Sequence, residues 1–153
     1  MITVDRPQRA VSKASPISSN FPVINPATGA SFAEASACEI SDLDGAVASA
    51  RAAFPSWSAT PDVERQRLLH AIGDALQANM PELMELVTKE TGKPLKGLNG
   101  VGAGMEVGGA IAWTHATADL ELPVEIVQDN DEARVEVHRK PLGVVGSIPP
   151  WNW

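Results

Sequence analysis

Apolar residues recur at helical spacing in three stretches of this chain, with shorter apolar and alternating segments on either side. Phe21-Pro22-Val23-Ile24 is a short apolar run followed by Asn25-Pro26-Ala27-Thr28-Gly29. Asn first, Pro second and Gly last is tight-turn chemistry, so 31–35 returns as a second strand and the pattern predicts a hairpin over 21–36. Leu43, Ala46, Val47, Ala50 and Phe54 predict a first helix, capped by Ser41, with Asp42 and Asp44 in its positive first turn and Pro55 as its stop. The second helix takes Thr60 as cap and Pro61 as first helical residue, with Leu68, Leu69, Ile72, Ala75 and Leu76 as buried face. Pro81 opens a third on Leu83, Met84, Leu86 and Val87, and Gly92 ahead of Pro94 ends it.

Glycines 97, 100, 102, 104, 108 and 109 crowd the next stretch, and each costs about 1 kcal/mol relative to alanine inside a helix. The expectation is a flexible loop over 96–104 feeding a helix from about Met105. Gly102-Ala103-Gly104-Met105-Glu106-Val107 fails as a dinucleotide loop: the third glycine is missing and no strand precedes it. Residues 124–128 and 133–140 read as strands around the polar turn Asp129-Asn130-Asp131-Glu132, with Val135 and Val137 on one face and Arg134, Glu136 and His138 on the other. Such a ribbon has open edges that call for a partner strand or subunit. Val144-Val145-Gly146-Ser147-Ile148 does not alternate, which fits a strand covered on both faces, and Pro149-Pro150 ends it. Helices followed by one buried parallel-type strand are the start of an α/β domain. A single parallel strand is no sheet, so its partners are expected in sequence beyond Trp153 or in another chain.

Composition narrows the partners. The 153 residues are 44% hydrophobic and 20% charged, with net charge −7 from 12 basic and 19 acidic side chains. That balance argues against nucleic acid and anionic membrane, both of which need a basic face. No apolar run approaches the ~20 residues that span a bilayer. Residues 1–20 are Ser-rich and slightly basic without amphipathic period or apolar secretory core, and read as a disordered tail. One cysteine, Cys38, excludes an internal disulfide and fits a reducing, cytoplasmic setting.

In order and spacing, several segments together resemble the aldehyde dehydrogenase superfamily. They are Asn25-Pro26-Ala27-Thr28-Gly29, Ala53-Phe54-Pro55-Ser56-Trp57, Arg65 with Leu68-Leu69, Glu90-Thr91-Gly92-Lys93-Pro94, and Pro141-Leu142-Gly143-Val144-Val145-Gly146 with Pro150-Trp151-Asn152. The resemblance implies the N-terminal part of a Rossmann-like NAD(P)-binding domain. Residues 21–123 would form its hairpin and helices, 124–140 a β-ribbon through which a homo-oligomer assembles, and 141–153 an incomplete first core strand and active-site loop. It also implies oxidation of an aldehyde to a carboxylate through a thiohemiacetal, with NAD or NADP taking the hydride. The nucleophilic cysteine and the water-activating glutamate of the family lie further along the chain than this match reaches.

Asn152 matches the family's oxyanion-stabilising asparagine, and an amide NH2 suits that task as an uncharged donor that does not titrate. Ile148, Pro149, Pro150 and Trp151 match the stretch beside the cofactor's ribose and nicotinamide, while also ending a strand and packing a loop. Val23, Ile24 and Glu106 lie where some members hold a monovalent cation. Cys38 is no substitute nucleophile, because Glu39 beside it disfavours the thiolate. His70, His115 and His138 are too scattered to form a metal or triad site and read as non-catalytic. The stretch from Leu95 to Met105 is several residues longer than the family spacing, an inserted loop or a sign of a decaying frame. The expectation is thus the N-terminal part of an NAD(P)-dependent aldehyde dehydrogenase, inactive by itself. The alternatives are a non-catalytic module pairing through its ribbon with a complete dehydrogenase, or a pseudogene product.

Overall fold

The computed structural model describes residues 19–150. Strands β1 (Ser19–Ile24) and β2 (Ser31–Ala37) pair antiparallel. Asn25 builds the turn between them: its carbonyl accepts from Gly29 N at 2.8 Å and its Oδ1 from Ala27 N at 2.9 Å. The hairpin starts two residues earlier than the pattern predicted, so Ser19 and Asn20 belong to β1, and the rest of the expected tail lies outside the described residues.

Helix α1 (Ile40–Ser58) is not capped by Ser41. Glu39 holds the cap position, and its N–H donates to Asp42 Oδ2 at 2.8 Å. Nor does Pro55 stop it. A proline removes one i→i−4 bond, here the one to Arg51 O, yet the helix runs on past it, and side-chain hydroxyls bond carbonyls of its last turn. Ser56 Oγ donates to Ala53 O, Ser58 Oγ to Pro55 O and Thr60 Oγ1 to Ser56 O, all at 3.0–3.1 Å. Thr60 is therefore spent on α1, and α2 (Asp62–Ala78) takes Pro61 as its cap, whose carbonyl accepts from Glu64 N and Arg65 N at 3.0 and 3.1 Å. Helix α3 (Met80–Thr91) carries Pro81 in its first turn and ends, as predicted, at Gly92 with φ 76°.

A short 3-10 turn (Leu98–Gly100) precedes α4 (Ala103–Ala118), which begins ahead of the expected Met105. The early start has a visible cause: Ala103 N donates to Pro94 O at 3.0 Å, so the chain leaves and returns at one point. The core lies along α4, where Ala103, Val107, Ile111 and Ala118 are buried against α2 and α3. Its glycines permit close approach: a Cβ on Gly104 would lie 3.2 Å from Met84 Cε, and one on Gly108 4.0 Å from Met80 Cε. Helix α2 meets α4 at His70 and Gly73, both against His115, and Gln66 donates to Leu120 O just past the end of α4. Leu68, Ile72, Ala75 and Leu76 line an open groove with Leu83, Leu86 and Trp57, which corrects the predicted buried face of α2 at all but the half-buried Leu69.

Strands β3 (Glu125–Asp129) and β4 (Arg134–Val137) make the expected ribbon, with a register shift between Ile126 and Gln128. Asn130 Oδ1 closes its turn by accepting from Glu132 N and Ala133 N, both at 3.0 Å. The predicted strand over 144–148 does not form. A buried parallel strand exists only through hydrogen bonds to neighbours, and among the described residues none lies beside it.

Candidate functional site

The segment Glu90-Thr91-Gly92-Lys93-Pro94 is a structural hub. Thr91 Oγ1 donates to Val87 O at 2.6 Å and accepts from Lys93 N at 3.2 Å, which turns the chain sharply after α3. Gly92 is needed twice over, since its φ is positive and a Cβ would sit 3.0 Å from Pro26 Cγ in the hairpin turn. The Lys93 ammonium reaches the Glu106 carboxylate on α4, and both side chains are about three-quarters buried. Gly97 and Gly102 close the neck of the loop between them: a Cβ on either would overlap backbone, of Val101 in one case and Pro94 in the other. The long stretch before Met105 is thus an excursion pinched at its base, and the helices flanking it stay docked.

Arg65 pins the neighbouring corner. Its Nη1 donates to Thr60 O at 2.8 Å and its Nη2 pairs with Asp62, fixing the turn between α1 and α2. Leu122, Arg139, Lys140 and Pro141 join Trp57 and Arg65 around a shallow cleft there, through which the chain enters its last described segment. Beyond it Leu142 is 93% and Ile148 98% exposed. Pro149 and Pro150 are likewise exposed, and Trp151 and Asn152 lie outside the described residues.

The cation candidates come out differently. Val23 and Ile24 end β1, while the Glu106 carboxylate is engaged by Lys93, so a cation there would have to displace an ammonium. Among the described residues no cluster of three metal-ligating side chains occurs. Nor do they form a dinucleotide cradle. The N-terminus of α4 follows a 3-10 turn in place of a strand, and its Ala103 N–H is already given to Pro94 O. Cys38 is exposed between β2 and α1. Two of the histidines set aside as scattered do meet: His70 and His115, 45 positions apart, bring their Nδ1 atoms within 2.9 Å. No spacing rule within one helix could have found that pair.

Residues 12–153 match the model of the aldehyde dehydrogenase family. This chain belongs to that family. It is 37% identical over 134 residues to a probable aldehyde dehydrogenase of Pseudomonas sp, covering 87% of this chain and 26% of that protein. To the mitochondrial succinate-semialdehyde dehydrogenase of Arabidopsis thaliana it is 36% identical over 132 residues, covering 86% and 24%. Its backbone superposes on the crystal structure of PnpE from Pseudomonas sp. WBC-3 with TM-score 0.78 at 32% identity, over 88% of this chain and 27% of that one. PnpE has also been solved in complex with nicotinamide adenine dinucleotide; against that structure the TM-score is 0.58 at 30% identity, over 72% of this chain and 23% of that one. The chain therefore spans about a quarter of the length of the aldehyde dehydrogenases it matches. Its hairpin, helices and ribbon are those of the α/β, Rossmann-like N-terminal portion of such enzymes.

Proposed function

We propose that these residues form the N-terminal part of an NAD(P)-dependent aldehyde dehydrogenase that oxidises an aldehyde to a carboxylate. The observation that carries the proposal is the family match, whose bounds, residues 12–153, take in the Pro149-Pro150-Trp151-Asn152 segment. In it, Asn152 donates its amide N–H to the oxyanion that develops when a thiolate adds to the aldehyde, and Ile148, Pro149, Pro150 and Trp151 line the cofactor's side of that pocket. NAD or NADP, when bound, accepts the hydride. The described residues alone offer it no phosphate site, so a polypeptide of these 153 residues binds it weakly or not at all. The ribbon of β3 and β4 presents apolar Val127, Val135 and Val137 to solvent, which suits pairing with a second subunit.

The test is an assay of aldehyde-dependent NAD(P)H formation across aliphatic, aromatic and semialdehyde substrates. It compares the 153-residue polypeptide with the product of the complete reading frame that contains it. Turnover by the latter and none by the former is the expected result. Turnover by the short polypeptide that survives Cys38→Ala would overturn the assignment of chemistry to later residues. Co-purification of the short polypeptide with an intact dehydrogenase, with no activity in either form of its own, would favour the assembly-module reading.

A further inference from the structure

Leu98-Asn99-Gly100-Val101 is the exposed turn of the excursion between α3 and α4, and its geometry accounts for its sequence. Val101 N donates to Leu98 O at 3.2 Å, and both residues between them have positive φ, 57° at Asn99 and 81° at Gly100. A mirror-image turn of that kind favours Asn followed by Gly, which enter the left-handed region at least cost. The same pair sets a side-chain amide beside a backbone nitrogen that no Cβ shields.

Five asparagines lie among the described residues, and four of them are held. Asn25 Oδ1 accepts from Ala27 N, and the residue after it, Pro26, has no N–H to react. Asn130 Oδ1 accepts from Glu132 N and Ala133 N. Asn79 Nδ2 donates to Ala75 O at 2.7 Å, and Asn20 Nδ2 to Glu34 at 3.3 Å. Asn99 differs: it is exposed, and among the described residues its carboxamide forms no hydrogen bond. Of all the asparagines in the chain it alone precedes glycine.

We propose that Asn99-Gly100 is a site of spontaneous deamidation, at which Asn99 becomes aspartate and isoaspartate through a cyclic imide. The Gly100 nitrogen, its proton released to solvent, bonds to Asn99 Cγ. The Cγ–Nδ2 bond breaks, and the amide nitrogen takes up a proton and leaves as ammonia. Water then opens the five-membered imide. Cleavage between Cγ and the Gly100 nitrogen gives aspartate, and cleavage at the backbone carbonyl gives isoaspartate, whose main chain runs through the former side chain. In the closed turn a ψ of 27° swings the Gly100 nitrogen away from the side chain, and its N–H donates to Gly97 O at 3.1 Å. The reaction therefore passes through local opening. Opening breaks two hydrogen bonds of a solvent-exposed turn, while the neck beneath it keeps Ala103 N on Pro94 O and Gly102 close against Pro94. The added charge and main-chain carbon stay within the excursion, and α3 and α4 remain docked.

The test incubates the 153-residue chain for days in warm, mildly alkaline buffer and follows it by peptide mass spectrometry, circular dichroism and amide hydrogen exchange. The expected result is an imide at residue 99 that has lost ammonia, followed by two separable products in which O replaces NH. Asn20, Asn79 and Asn130 should lag behind it by roughly tenfold or more. The Gly100 and Val101 amides should exchange before that of Ala103, and the helical signal should outlast the conversion. Asn99→Gln, which would have to close a six-membered ring, should lose the products and keep the exchange pattern. A synthetic peptide of residues 95–103 supplies the reference rate for an open turn. Conversion of the peptide but not of the folded chain would overturn the proposal, as would conversion at Asn99 no faster than at the other asparagines. Products that accumulate only as the helical signal decays would also overturn it, since the reaction would then belong to the unfolded chain.

Discussion

Few side chains bear the weight of this fold, and Ile111 is the largest of them. It is 8% exposed on the face of α4 that α2 and α3 enclose, beside Val107 and Ala118. Truncating a buried isoleucine removes apolar burial and leaves a space that helices only partly refill. Ile111→Ala should therefore cost about 2–5 kcal/mol in a urea melt, against within ~0.5 kcal/mol for Leu98→Ala on the exposed 3-10 turn. Equal effects would mean that α4 is not the core. At the same scale, Gly92, Gly97, Gly102 and Gly73 show why a glycine count misleads as a sign of disorder. Each stands where a Cβ would strike backbone or a ring, so these glycines specify contacts.

Among the elements, the ribbon depends most on charge. Glu136 of β4 accepts from Arg134 Nε at 2.7 Å and meets His138 Nε2 at 2.9 Å, while Arg134 also holds Asp129 of β3 at 2.9 Å. The Arg134 hydrogen bond first, and His138 second, hold the Glu136 carboxyl below the usual glutamate range. The sign follows: the contribution is complete above the unfolded carboxyl's value and is lost as pH falls through the lowered folded one. A carboxyl-detected NMR titration should show Glu136 protonating below a solvent-exposed glutamate. Arg134→Gln should move its midpoint upward more than His138→Asn, and the reverse order would contradict the assignment of causes. The ribbon was readable beforehand because alternation and a polar turn are local signals. So were the hairpin, the three early helices and the stop at Gly92. Pro55 sits inside α1 and does not end it, and α4 begins early because Pro94 O, nine residues back, accepts from Ala103 N. The contact between His70 and His115 needs two helices already docked, so no single-segment pattern contains it.

For the molecule as a whole, the apolar surface left open is informative. Leu68, Ile72, Leu76, Leu83 and Leu86 line an uncovered groove, Leu43 of α1 is exposed, and Val144–Ile148 carries strand-forming residues without a neighbour. The chain spans about a quarter of its relatives' length. The family was legible from short motifs spread along the chain. The apolar run at 144–148 read as a strand, but among the described residues it forms none. The site residues Trp151 and Asn152 rest on motif alone, which makes Asn152 the place to test the proposed chemistry. In the product of the complete reading frame, kcat for aldehyde oxidation should fall about 10²–10³-fold in Asn152→Ala, with cofactor affinity little changed, because an oxyanion donor acts in the transition state. An unaltered kcat in a folded Asn152→Ala enzyme would contradict the account.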